Sequence, residues 1–448
     1  MPAFAPTQYG DISEIVSKKG FEFQFAHNPY AEWYQNSLRV GASDYLEYHR
    51  NNYGEKFQYE QFSEEFNRTI EKWNPEAWAE YFKTIGAKYV VLGTKHHEGF
   101  TLWHSTIENP HRKEYYAKRN IVKELSDAIK NKGLKMGYYY SGGLDWTFNQ
   151  EPIFEFCSMI GSVPQTPEYG DYVYNQFKEL IDLFNPAILW NDIAYPLKGK
   201  LYDLIAYYYN SVPEGLVNDR WTLIPSPAKH LKKSRFLKAI INKSIQKFIA
   251  KSGFEGKKPK SVGDFSTSEY STQIKYKPYK WEACRGLGRS FGYNQMELDE
   301  HHISSEDLIF SLVDIVSKNG NLLLNIGPDK YGNIPELQKK RLDSLGKWLQ
   351  LNGEGIFETE PWRIQEQNDE GKVRIRFTHN PEKRAIYSFL KNPPKGKQIT
   401  IKGIQSVREL SILGYKDTLF FSVSGNKVTL TVPDLQYDFD CIGFQFKY

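Results

Sequence analysis

An α/β barrel of (β/α)8 type followed by a C-terminal β-sandwich is the fold class this sequence predicts. Three observations lead to it. From residue 74 onward, amphipathic helical patterns alternate with short, unbroken apolar runs, which is the signature of parallel strands linked by helices. Several of those runs end in polar or charged side chains, which a closed barrel would gather into one pocket and an open sheet would spread along an edge. After Gly353 the texture changes to period-two alternation, as in antiparallel strands. The 448 residues suffice for two or three domains. The boundary is expected near 355, with the barrel over 1–355 and the sandwich over 356–448.

The elements follow in order. Residues 1–70 are rich in aromatics but carry little periodicity, and they include Asn28-Pro29-Tyr30-Ala31-Glu32-Trp33-Tyr34. Asn74-Pro75 pairs an N-cap with proline at the first helical position, Trp78, Tyr81 and Phe82 share one face, and Gly86 closes the helix. Tyr89-Val90-Val91-Leu92-Gly93 reads as a buried strand that ends in Thr94-Lys95-His96-His97-Glu98. A helix is expected at about 121–131, stopped by Gly133, and a strand at Leu134–Tyr140 leading into Ser141-Gly142-Gly143. The next helix, about 171–184, feeds Ala187-Ile188-Leu189-Trp190-Asn191-Asp192. Asp192 at that strand end is either an N-cap for the next helix or a working carboxylate. A helix near 200–210 precedes a strand at Leu216–Trp221. A Ser304-x-x-Asp307 cap opens a helix at 305–318, a strand follows at Leu322–Gly327, and the last barrel helix fills about 335–351. The sandwich strands are expected at Val373–Phe377, Ile399–Ile401, Val428–Val432 and Cys441–Phe446, with Ser424-Gly425-Asn426 as a hairpin turn.

Residues 222–262 interrupt this rhythm. Between Lys229 and Lys260 stand 11 Lys or Arg against one acid, Glu255, and Leu237, Ile240, Ile241, Ile245, Phe248 and Ile249 form an apolar stripe at helical spacing. Such a basic amphipathic helix can lie on a membrane or pack on protein. Packing on its own domain or at a contact between copies is expected, hence a homo-oligomer and no membrane association.

Composition excludes several classes. A net charge of +4 and the lack of a recognisable motif give no nucleic-acid partner. No apolar run approaches the roughly 18 residues needed to span a bilayer. Met1-Pro2-Ala3-Phe4-Ala5-Pro6 lacks the basic and apolar regions of a secretory signal. Cys157, Cys284 and Cys441 are too widely spaced for a disulfide framework or a zinc site, so a reducing, cytoplasmic setting is expected. Aromatic content is high at 15%, with 31 Tyr and 10 Trp, which suits large cores and also sites that stack sugar rings.

The strand ends supply the candidate chemistry. Zinc barrels present His-x-His, because alternation aims both rings to one side; the adjacent His96-His97 pair would straddle a strand unless the chain has already left it. The pair is therefore read as hydrogen-bonding groups for a polar ligand, with no metal and no cofactor. Arg220 in an apolar setting needs a carboxylate or a hydroxyl-rich ligand. A sugar-cleaving site needs two carboxylates. Asp192 is the first, while Glu269, Glu282, Glu98 and Glu32 all remain open as the second.

Taken together, these stretches resemble the α-L-fucosidase family, the retaining glycoside hydrolases of family 29. The resemblance rests on Asn28–Tyr34, Thr94-Lys95-His96-His97-Glu98-Gly99-Phe100, Tyr139–Trp146, Leu189-Trp190-Asn191-Asp192, Val217–Trp221 and Asn321–Pro328, in the family's order. It implies Asp192 as nucleophile and Glu269, in Thr267-Ser268-Glu269-Tyr270, as acid/base. It further implies that His96, His97, Tyr140, Trp190 and Arg220 hold the fucose, with Glu32, Trp33 and Phe291 completing the pocket. The substrate would be an α-L-fucosylated glycan, cleaved by double displacement with Glu269 protonated at the outset. Family members open with a strand bearing a Phe-Ile-His-Trp-Gly-like block. That block is absent from this chain, so an N-terminally truncated barrel lacking its first strand is expected. The second reading is a catalytically impaired fucose-binding remnant. A third is a barrel glycosidase of altered sugar preference.

Overall fold

The computed structural model describes residues 3–224, 239–245, 247, 258–259, 262–270, 275–369, 373–415, 419–434 and 439–448. Seven strands belong to the α/β part: β1 (Tyr89–Lys95), β2 (Lys135–Ser141), β3 (Ile188–Asp192), β4 (Leu216–Val217), β5 (Ser266–Glu269), β6 (Trp281–Gly286) and β7 (Gly320–Asn325). They form a four-stranded sheet in the order β1-β2-β3-β4 and a three-stranded sheet β5-β6-β7. In the first sheet every pairing is parallel.

Helices separate these strands where periodicity and caps predicted them. Asn74 caps Pro75–Thr84 by accepting the Ala77 N–H at 3.1 Å, and Asn120 caps Ile121–Asn131 through Lys123 N–H at 3.0 Å. The helix before β3 runs over Pro167–Phe184, a turn longer than expected, because Thr166 accepts the Tyr169 N–H and Pro167 takes the first helical position. It ends at Asn185 in the left-handed region, φ 44°, which turns the chain into β3. Ser304 caps Ser305–Ser317 through the Asp307 N–H.

Alternation along the strands sorts the side chains of the first sheet. Val90, Leu92, Met136, Tyr138, Leu189 and Val217 join Ile121, Leu125, Phe177, Leu180 and Leu204 in one core between the sheet and its helices. Burying an aliphatic side chain of this kind contributes roughly 1.5–3 kcal/mol, so this layer holds the strand ends in register. On the opposite face Gly137 sits where a Cβ would collide with Ile188 and press on Val91. Only glycine lets these strands approach so closely there.

The segment ahead of β1, expected to be hard to assign, is helical: Ile12–Lys19, Phe21–Ala26, Tyr34–Val40, Ser43–Tyr53 and Phe62–Thr69. No strand precedes Tyr89 among the described residues. Of the basic stretch 222–262, Leu237, Phe248 and Ile249 lie outside the described residues. Residues 239–245 are helical, with Ile240 exposed and Ile245 packed on the Phe21, Trp33 and Trp146 cluster.

The later strands are β8 (Glu360–Asp369), β9 (Val373–Asn380), β10 (Ala385–Lys391), β11 (Gln398–Lys402), β12 (Glu409–Ile412), β13 (Phe421–Ser424), β14 (Lys427–Thr431) and β15 (Cys441–Lys447). They build a five-stranded sheet, β12-β15-β10-β9-β8, and a three-stranded one, β11-β14-β13. The described pairings are antiparallel, and Gly425-Asn426 turns β13 into β14. Ile375, Phe377, Leu390, Ile401, Leu430 and Phe444 lie in their shared core.

The chain divides into two compact units. One comprises Met1–Ser271, Cys284–His302 and Leu324–Glu336; the other comprises Thr272–Ala283, Ile303–Leu323 and Leu337–Tyr448. Apart from Glu282, which falls in the second, the candidate site residues lie in the first.

Candidate active site

The end of β3 aims its side chains by simple alternation. Ile188, Trp190 and Asp192 point to one face and Leu189 and Asn191 to the other. Across the parallel register Tyr139 faces Trp190, and Ser141 faces Asp192. Asn191, on the outer face, donates through Nδ2 to Ala194 O at 2.9 Å and to Arg220 O at 2.8 Å. It thereby ties the turn after β3 to the backbone of Arg220. Asp192 caps no helix, since the next one, Leu201–Ser211, starts after Lys200.

Both oxygens of Asp192 are engaged instead. Arg220 Nη1 donates to Oδ1 at 2.8 Å, and the Tyr139 hydroxyl donates to Oδ2 at 2.8 Å. The other terminal nitrogen of Arg220, Nη2, lies 2.6 Å from Glu269 Oε1. One guanidinium thus joins the carboxylates that end β3 and β5. Its remaining donor, Nε, goes to Thr267 Oγ1 at 3.0 Å, and its flat face lies 4.6 Å from the Trp190 ring. Thr267 in turn donates through both its hydroxyl and its N–H to Asp219 Oδ1, at 2.8 and 3.1 Å. Asp219 therefore anchors β5, and Glu269 with it, to the chain after β4. Burial raises the Asp219 pKa against the pull of those donors and of Arg220.

The two histidines reach the pocket through an irregularity in β1. Gly93 pairs with Tyr139 and Lys95 with Tyr140, so Thr94 is an extra residue in the ladder. The bulge reverses the alternation. Lys95 turns outward into a sealed ion pair with Asp145, 2.7 Å, with neither side chain exposed, and sits 4.5 Å from the Tyr140 ring. The strand ends there, and His96 and His97 follow with ring centroids only 3.8 Å apart. The exception expected for a pair beyond its strand thus holds.

The pair divides its roles. Ser141 Oγ donates to Leu144 O at 2.7 Å, so it accepts from His97 Nδ1 at 2.6 Å. Burial, with the charges of His96 and Lys95, lowers the His97 pKa well below its usual value. A neutral ring with the proton on Nδ1 leaves Nε2 as an acceptor. Burial acts the same way on His96, but Glu98, 3.3 Å from its Nδ1, together with Glu32 and Asp192, outweighs it and raises the pKa. Of the two rings, His96 is the one whose protonated form its neighbours favour.

Glu32 lies in the short helical turn Ala31–Trp33. Its Oε2 accepts the Gly292 N–H at 2.9 Å and lies 3.4 Å from Ser290 Oγ. Burial raises its pKa, opposed by His96 and these donors. Trp33 meets His97 edge-on at 5.2 Å, and Phe291 packs with Tyr30 and Tyr270 at 5.1 and 5.2 Å. Among the described residues no group of three or more His, Cys, Asp or Glu is arranged to hold a metal ion.

One expected site residue is displaced. Tyr140 points away from the carboxylates, fully buried, with its hydroxyl donated to Gln176 at 2.6 Å and its ring 4.4 Å from Phe177. Tyr139, its neighbour on the inner face, is the one that reaches Asp192, and it also stacks on Trp190 at 5.5 Å. Which of the two adjacent tyrosines faces inward is set by the β2–β3 register, which puts Tyr139 opposite Trp190. Of the alternative carboxylates, Glu98 is held by His96 and Glu32 by Gly292, whereas Glu269 shares Arg220 with Asp192. Glu282 is buried on β6.

The chain is similar to known proteins over most of its length. The family model described as Alpha-L-fucosidase matches residues 12–354. Plasma alpha-L-fucosidase of Homo sapiens is 32% identical over 420 residues, 90% of this chain and 80% of that protein. Alpha-L-fucosidase of Dictyostelium discoideum is 31% identical over 405 residues, 88% of this chain and 79% of that protein. Among solved structures, Thermotoga maritima alpha-fucosidase with a mechanism-based inhibitor is 39% identical with a TM-score of 0.80, covering 98% of this chain and 93% of that one. The same protein in complex with fucose is similar at 37% identity and TM-score 0.79, covering 99% and 97%.

Proposed function

The chain belongs to the alpha-L-fucosidase family of glycoside hydrolases, and from that premise we propose that it removes terminal α-L-fucosyl residues from glycans with retention at the anomeric carbon. The observation that carries this reading is the pair of carboxylates, Asp192 and Glu269, on separate nitrogens of one guanidinium. Retaining glycosidases need their carboxyl groups only about 5–5.5 Å apart, close enough for one to attack while the other protonates. A shared guanidinium supports a separation of that order.

In the proposed reaction an oxygen of Asp192 bonds to C1 of fucose as the C1–O glycosidic bond breaks. The departing oxygen takes the proton of the Glu269 carboxyl. Glu269, now a carboxylate, then accepts a proton from water, whose oxygen attacks C1 and releases Asp192. Arg220 and Tyr139 orient the nucleophile. Trp190 offers a ring face to the sugar, with Trp33 and Phe291 as further apolar walls. His96, as donor, and His97 Nε2, as acceptor, suit sugar hydroxyls, and Glu32 adds a further acceptor. The complex of the Thermotoga maritima enzyme with fucose supports this assignment of substrate. An impaired fucose-binding remnant finds no support in a site where both carboxylates and their shared cation are in hydrogen-bonding contact.

The test is the Asp192→Gly variant with an aryl α-L-fucoside. Turnover is expected to vanish and to return in part when azide acts as an external nucleophile. Full activity without azide would remove Asp192 from the reaction. Glu269→Ala should slow substrates with poor leaving groups most, because they depend on protonation. An equal loss across leaving groups would overturn the assignment of the acid.

A further inference from the structure

Glu297 is a buried carboxylate outside the constellation described above, with its side chain 3% exposed. Its Oε1 accepts two consecutive backbone donors, Arg289 N–H at 2.6 Å and Ser290 N–H at 2.8 Å. Its carboxylate lies against Gly288, where any Cβ would overlap it. Its other oxygen lies 3.7 Å from His302 Nε2. This one side chain therefore holds the inside of the loop that follows β6.

The outside of the same loop is pocket wall. Ser290 Oγ accepts the Ala31 N–H at 2.9 Å and lies 3.4 Å from Glu32 Oε2, while the Gly292 N–H donates to that oxygen at 2.9 Å. Phe291 stands between these two contacts. The loop also reaches the acid/base side, because Tyr270, next to Glu269, donates its hydroxyl to Gly288 O at 3.1 Å and accepts the Gly286 N–H at 3.0 Å. Arg289 Nη1 further ties it to Thr7 O at 2.6 Å, and Asn294 exchanges hydrogen bonds with both backbone groups of Ala5, each 3.0 Å.

We propose that Glu297 is a positioning residue for the sugar pocket, fixing from beneath the loop whose upper side sets Glu32 and Phe291. The proposal rests on the fucosidase reading for the identity of the ligand. The geometry of the loop stands without it. A carboxylate that accepts two adjacent N–H groups defines the local backbone turn, and each donor left unpaired when buried is costly. A small displacement of a substrate-orienting group suffices to lower catalytic efficiency strongly.

The experiment compares wild type, Glu297→Ala and Glu297→Gln in the full chain. Its readouts are aryl α-L-fucoside kinetics, inhibition by free fucose, and backbone hydrogen exchange of residues 286–293. Glu297→Ala is expected to raise KM and the fucose inhibition constant by about tenfold with a smaller change in kcat, because binding groups move while Asp192 and Arg220 stay. Exchange over 286–293 is expected to accelerate in parallel. Glu297→Gln keeps an acceptor oxygen and should return KM to within about threefold of wild type. Unchanged KM and unchanged exchange in Glu297→Ala would overturn the proposal, as would a loss confined to kcat. A glutamine variant as impaired as the alanine one would overturn it too. If wild type cleaves no fucoside, the fucosidase reading falls, and the exchange comparison still decides the role of Glu297.

Discussion

Arg220 donates Nη1 to Asp192 at 2.8 Å while its Nη2 is 2.6 Å from Glu269, so the carboxylates proposed as nucleophile and acid/base are oriented by the same planar cation. Lysine can place a charge there but cannot present two parallel donors and a third along Nε. Arg220→Lys is expected to lower kcat/KM for an aryl fucoside by about 10²–10³, in the range for losing a preorganised electrostatic contact. Steady-state kinetics check this, and a loss below about threefold would mean that the carboxylates hold their geometry without the fork.

Tyr139 and Tyr140 give opposite expectations despite being neighbours. Tyr139→Phe removes a donor to Asp192 and should reduce kcat by about tenfold or more, with little change in thermal stability. Tyr140→Phe leaves the buried Gln176 oxygen without that donor and should cost about 1–3 kcal/mol of stability with KM unchanged. Measuring both kinetics and melting for the two variants checks the strand parity directly.

That pair also marks the limit of what could be read from residues alone. Helix caps at Asn74 and Ser304 and the apolar runs of β1, β2, β3 and β7 were legible, because each signal is local. Two strands of the α/β part were not. Ser266-Thr267-Ser268-Glu269 is wholly polar, and Trp281–Gly286 carries Glu282 and Arg285, so neither shows the apolar run of a buried strand. The helices ahead of β1 hide for a different reason: short elements rich in Tyr and Phe gain their stability from clusters such as Phe4, Tyr34, Tyr45 and Phe62, not from periodicity. Of the expected site residues, the structure brings Asp192, Arg220, Trp190, Glu32 and the histidines together. Tyr139 was missed for Tyr140 because the side of a strand depends on register with its neighbour.

Lys95 and Asp145 form a pair with no exposure of either side chain. Removing one partner strands the other charge, so Lys95→Met alone should destabilise the chain by about 3–5 kcal/mol. Combining it with Asp145→Asn should restore a large part of that loss, since no bare charge then remains buried. Urea unfolding of the two single variants and the double variant checks the coupling, and additive losses would show that the pair does not interact.

Glu297 predicts a pH dependence of stability. Burial pushes its pKa up to about 7, with Glu32 adding to the rise while the Ser290 and Arg289 N–H groups and the Arg289 charge oppose it. An unfolded glutamate titrates near about 4.3. Between these values the folded state binds more protons, so this contribution is fully present at low pH and is lost as pH rises through about 7. Glu297→Gln lacks the penalty. Its melting temperature relative to wild type should therefore increase between about pH 5 and about pH 8, and a constant difference over that range would refute the assignment.

The extra residue at Thr94 decides which way β1 delivers its last side chains. Lys95 stands opposite Tyr140 and goes to Asp145, and His96 follows beyond the strand beside Glu98. Regular alternation from Gly93 through Thr94 would instead turn Lys95 toward the face that carries Asp192. The bulge, and not the side chain at position 94, does the steering: a chain without Thr94 would keep Lys95 opposite Tyr140, whereas one in which Thr94 entered the ladder would bring an ammonium to the carboxylates.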